Sequence, residues 1–97
     1  MEESIYYANL YDIYGELLTD KQKSYFKDYY FDNLTMDEIA YNDKVSKNAV
    51  SKQLKDVREK LLFYEEKLKI YQKKMNIERE FKNEEDILNR IEKYDNI

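Results

Sequence analysis

Lys47, Asn48, Ser51 and Lys52 stand at the start of one expected helix and carry the groups best suited to reading base edges. Asparagine can pair with adenine through two hydrogen bonds, and lysine can donate to guanine. Lys44, Lys55 and Arg58 lie close by at positions that suit phosphates, contacts that fix register without reading sequence. Other chemistry has little to work with. The chain holds no cysteine and no histidine, so a disulfide framework, a thiol nucleophile, a Ser-His arrangement and a zinc site are excluded. Its many carboxylates form no evident pair in an expected cleft, and no glycine-rich phosphate loop or nucleophile motif occurs. The expectation is a binding protein with no cofactor and no catalytic activity.

The elements that must position these side chains are marked by caps. Thr35 precedes Glu38 by three residues in the reciprocal capping-box arrangement, and Ser46 opens a second apolar-periodic run. Ile39, Ala40, Val45, Ala49, Val50 and Leu54 form an inner surface, with Ala40 and Ala49 as the small residues where two crossing helices can approach. The pattern is a helix-turn-helix. Net charge is −4, which argues against a general nucleic-acid binder, but the charge is uneven. Residues 1–42 hold 3 basic and 9 acidic groups, whereas residues 43–60 hold 6 basic and 3 acidic groups. The positive stretch falls on the second helix of the motif.

Upstream, residues 4–18 place Tyr6, Leu10, Ile13, Tyr14 and Leu17 at helical spacing, and Gly15 is read as a close approach by a neighbouring helix. Thr19 with Gln22 caps a second helix from Asp20 to about Phe31, striped by Gln22, Phe26, Tyr29 and Tyr30 with Tyr25 beside it. Tyrosines among lysines can be stacking platforms for single strands, but these follow the apolar period and are read as core. With 97 residues, no proline and one glycine, the fold class is all-α: a trihelical helix-turn-helix core with a long C-terminal helical extension. Residues 1–62 make the helix-turn-helix domain and residues 63–97 a helical arm and C-terminal helix.

Val50, Leu54, Val57, Leu61, Tyr64, Leu68, Tyr71 and Met75 alternate steps of four and three, a heptad seam. With no proline or glycine in residues 46–82, the second helix of the motif is expected to run on as one rod. The upstream helices are too short to cover the rod's far half. Tyr64, Leu68, Tyr71 and Met75 are therefore the expected interface of a homodimer. Asn83 with Asp86 offers a cap for a last helix faced by Ile87, Leu88, Ile91 and Tyr94. The N-terminal MEESIYYANL lacks the basic and apolar pattern of a signal peptide, and no stretch has the length of a membrane span, so a cytoplasmic protein without membrane contact is expected.

The segment LYDIYGELLTDKQKSYFKDYYFDNLTMDEIA, followed by VSKNAV and YEEKLKIY, closely resembles the YlxM family of small bacterial helix-turn-helix proteins. The similarity runs from about Ala8 to Tyr71, and LLTDKQ and DEIA also look like region four of sigma-70-type factors. The resemblance implies the winged-helix-like DNA-binding superfamily, a DNA-binding regulator, and a part in the signal recognition particle pathway. The chain departs from the pattern at Asp43, where a leucine or phenylalanine is usual, and at Lys44, where glycine or asparagine is usual. A buried carboxylate would be costly and lysine is poorly suited to positive φ. Either Tyr41 supplies the missing apolar contact or the turn is looser. Two functional readings follow: a DNA-binding regulator, and an interaction module for signal recognition particle protein or RNA. A trihelical core with merely solvated lysines is the plain structural alternative.

Overall fold

The computed structural model describes residues 2–95, with side chains through residue 92. Helices α1 (Glu3–Tyr14), α2 (Asp20–Phe26), α3 (Met36–Asp43), α4 (Lys47–Leu68) and α5 (Ile70–Asp95) follow one another with short connections, and no strand occurs among the described residues. The fold is all-α.

Local chemistry sets most boundaries. At α2 the Thr19 hydroxyl accepts from the Gln22 N–H and the Gln22 side chain accepts from the Thr19 N–H, both at 3.1 Å. The same reciprocal box opens α3, with Thr35 and Glu38 at 3.1 and 3.2 Å. A 3-10 turn at Gly15–Leu17 ends the first helical segment, and a π turn at Lys27–Phe31 extends the second as far as the sequence predicts. Asn33 then leaves that turn at φ 56°. The 3-10 turn changes which residues face inward: Tyr7, Leu10, Tyr14 and Leu18 are buried, whereas Leu17, expected inside, is 52% exposed. At Gly15 the nearest neighbour is local. A Cβ there would lie 3.2 Å from the Tyr11 ring of its own helix.

α4 is the spine of the core. Val50 and Leu54 pack with Tyr25, Ile39 and Ala40, and Val57 and Leu61 pack with Tyr7, Leu10, Tyr14, Leu18 and Phe26. All four α4 residues are fully buried, each such side chain stabilising the fold by about 1.5–3 kcal/mol. Aromatic stacking joins α1 to α2, with Phe26 held between Tyr11 and Tyr30 at centroid distances of 4.4 Å on each side. Most tyrosines among the described residues are thus packed in the core or against other rings, whereas Tyr41 is 85% exposed.

The expected single rod is broken. Lys69 adopts φ 52° and ψ 33°, which ends α4 at Leu68 and starts α5 on a new course. Residues of the chain supply the cover that the sequence reading assigned to a partner. Tyr64 packs on Tyr14, and Tyr71 meets Tyr6 edge-on at 5.6 Å, because the change of direction lays the start of α5 along α1. Leu68 and Met75 remain partly exposed at 45% and 37%. α5 runs without interruption through Asn83, so the expected cap there is unused; the side chain of Tyr94 lies outside the described residues.

Candidate nucleic-acid interface

The turn between α3 and α4 closes through its backbone. Lys44 takes the left-handed conformation, φ 57° and ψ 44°, and its N–H reaches the Tyr41 carbonyl, while the Val45 N–H donates to the Ala40 carbonyl at 3.0 Å. This is the double closure that usually recruits glycine. Ser46 then caps α4, its hydroxyl accepting from the Ala49 N–H at 3.1 Å. The two departures from the usual pattern are accommodated without burial: Asp43 is exposed, and Tyr41 makes no substitute contact. Of the two alanines expected at the helix crossing, Ala40 is buried and Ala49 is exposed.

Val50 and Leu54 hold α4 against the core, so its opposite side must face solvent. Lys47, Asn48, Ser51, Lys52 and Lys55 are all exposed there, with Lys44 exposed in the turn before them. Arg58 is drawn away: it is half-buried and its Nη1 donates to the Tyr30 hydroxyl at 3.2 Å, tying α4 to the π turn. Lys47 stands 3.8 Å from the Asp37 carboxylate and Lys55 stands 4.0 Å from Glu59, both exposed pairs of small energetic weight. Lys44 and Lys52 have no ion-pair partner among the described residues.

Acidic groups border this face, and the sequence reading missed their grouping. The buried Tyr25 phenol is pushed above its ordinary value by burial and then by the nearby Asp43 carboxylate. Burial raises the Asp28 carboxyl, and Asp43 and Asp32 raise it further. Spacing could not reveal this cluster, because its members come from the π turn, its exit and the end of α3. Among the described residues no group of acidic side chains is arranged to hold a metal ion, and no helix is long and apolar enough to cross a membrane.

Two capped helices joined by a closed turn, the second presenting a row of exposed polar and basic side chains, define a helix-turn-helix protein with a helical arm. A family model described as "Putative helix-turn-helix protein, YlxM / p13 like" matches residues 1–97, and the chain belongs to that family, UPF0122. A UPF0122 protein of Fusobacterium nucleatum is 42% identical over 72 residues, covering 67% of this chain and 70% of the relative. One from Ureaplasma urealyticum is 50% identical over 60 residues, 62% of this chain and 61% of the relative. One from Listeria innocua is 46% identical over 56 residues, 58% and 51% respectively. The chain thus spans about half to two thirds of the length of these relatives.

Proposed function

We propose that this chain is a cytoplasmic, homodimeric regulatory protein that binds DNA weakly by laying the start of α4 in the major groove. The observation that carries the reading is the row Lys47, Asn48, Ser51, Lys52 and Lys55, exposed on the one net-positive stretch of an acidic chain. Asn48 and the neighbouring Lys47, Ser51 and Lys52 reach base edges, and Lys44 and Lys55 contact phosphates. Arg58 reaches phosphate only by leaving Tyr30. On the strength of the family resemblance we extend the proposal to genes or components of the signal recognition particle pathway.

The test is a gel shift against a random duplex pool across a salt series. Binding falls steeply with salt as lysine contacts release counterions. K47E/K52E abolishes the shift while leaving the thermal midpoint near wild type, since both side chains are exposed; unchanged binding refutes the assignment of the recognition helix. A second reading, an interaction module for signal recognition particle protein or RNA, draws on Asp37 beside Lys47 and on Asp43, carboxylates that repel a phosphate backbone. Capture of the particle's GTPase or RNA at physiological salt, with no shift of DNA, selects that reading.

A further inference from the structure

α5 carries an uncovered apolar stripe. Every residue from 72 to 92 is exposed, yet Ile70, Ile77, Phe81, Leu88 and Ile91 recur on one side of the helix. With Lys74 and Glu84 they complete an unbroken alternation of four- and three-residue steps, 70, 74, 77, 81, 84, 88, 91, the signature of a helix that pairs with another. Ile77, Phe81 and Leu88 are 65%, 62% and 59% exposed. Tyr71 turns toward α1, about a quarter turn from the centre of the stripe, so the upstream helices leave the stripe uncovered.

We propose that a second copy of this chain covers the stripe, α5 lying antiparallel on α5, with Lys74 of each copy facing Glu84 of the other. The inference rests on the self-association named above and is independent of DNA. An antiparallel pair centred on Arg79 places Ile70 opposite Leu88, Lys74 opposite Glu84 and Ile77 opposite Phe81, and the two-fold axis repeats each pair. Within residues 70–88 apolar residues meet apolar residues and the two interruptions meet each other, while Ile91 extends past the paired stretch. Other arrangements fail at those interruptions. A parallel pair in register stacks Lys74 on Lys74 and Glu84 on Glu84. Sliding the antiparallel pair by one heptad sets Lys74 against Ile77 or Ile91. The charged pair therefore specifies orientation and register, as single polar core positions do in paired helices. Ile70 and Ile77, with Lys73 and Lys74, form a shallow apolar depression on the protomer, which Leu88 and Phe81 of the second copy fill. The interface thus moves off Tyr64 and Tyr71, which α1 already occupies, and onto the distal arm.

Sedimentation equilibrium of the full chain tests this. The wild-type chain is a dimer at about 50 μM, and K74E and E84K each raise the dimer Kd by about tenfold or more. The double variant K74E/E84K regains wild-type association, as does an equimolar mixture of K74E and E84K. Orientation is read separately, because the chain has no native cysteine. Oxidising a mixture of I70C and L88C gives a heterodisulfide faster than either variant alone gives a homodisulfide, since a parallel pair holds these positions about 27 Å apart along the axis. A monomeric wild type, absence of rescue in the double variant, or preferential homodisulfides overturns the proposal. K47E/K52E stays dimeric even where it loses DNA, so the two readings fail separately.

Discussion

α4 is entered and left through the same backbone device in opposite surroundings. Lys44 before it and Lys69 after it both stand in the left-handed region, at φ 57° and 52°. At the entrance the closure is local, made by carbonyls of α3 and the hydroxyl of Ser46. No distant side chain takes part in the closure itself, so the lysines and asparagine beyond the cap face solvent, with Lys47 and Lys55 engaged only in exposed ion pairs. At the exit the closure is tertiary. The Tyr14 hydroxyl donates to Glu65 at 2.6 Å and accepts from the Ile70 N–H at 3.2 Å, while Glu65 accepts the N–H groups of Tyr71 and Gln72. A carboxylate thus sits on the first turn of α5, where the helix dipole favours negative charge. One end of the helix is built to present its side chains, and the other consumes its side chains to aim the arm.

Removing the tertiary closure breaks this contrast most severely. E65A deprives Tyr14 and two α5 amides of their acceptor, and hydrogen bonds to a charged group contribute about 1.5–3 kcal/mol. Amide exchange at Tyr71 and Gln72 then speeds by about ten- to a hundredfold, while protection of Val50 and Leu54 and any DNA affinity stay unchanged. Y14F acts in the same place by about 1.5–3 kcal/mol, the contribution of its one hydrogen bond to the carboxylate, visible as a lowered thermal midpoint, and leaves the two amide contacts intact. Equal loss of protection at both ends of α4 would show that the two closures are one cooperative unit.

Relieving the backbone sharpens the contrast further. Lysine in the left-handed region costs about 1 kcal/mol relative to glycine, so K44G and K69G each raise stability by up to that amount in chemical denaturation. They part company over DNA. K44G also removes the proposed phosphate contact and on that reading lowers the salt slope by about one, whereas K69G leaves the slope alone.

The same difference decides what could be read from the sequence. The boxes at Thr19 and Thr35, the cap at Ser46 and the buried series Val50, Leu54, Val57, Leu61 each depend on fixed short spacing, and all are found in the structure. The exposed row on α4 follows from the same spacing, since fixing the inner face fixes the outer one. Arg58 escaped because its partner, Tyr30, is 28 residues away. The break at Lys69 escaped for a similar reason. No glycine or proline marks it, and Glu65 closes it with a tyrosine 51 residues upstream. Periodicity carried the seam straight through the break because periodicity does not register a single left-handed residue.

The smallest effect concerns the acidic border of the entrance. Burial holds the Asp28 carboxyl above the ordinary aspartate range, and Asp43 and Asp32 push the same way. A raised value in the folded chain means that the native state holds this proton more tightly than the unfolded state does. The stability this contributes is fully present below the unfolded value and is lost as pH rises through the folded one. At pH 7 Asp28 is therefore a charged, unfavourable neighbour of Asp43 and Asp32. D28N removes the charge. Thermal melts of D28N and wild type coincide near pH 3, separate as pH rises, and differ by a small constant increment at pH 7, with D28N the more stable. Wild type becoming the more stable of the two as pH rises would mean that the ionised carboxylate is favoured where it stands. Asp43 would then have to find its compensating partner in Lys44, and the turn would be stabilised by charge as well as by its backbone.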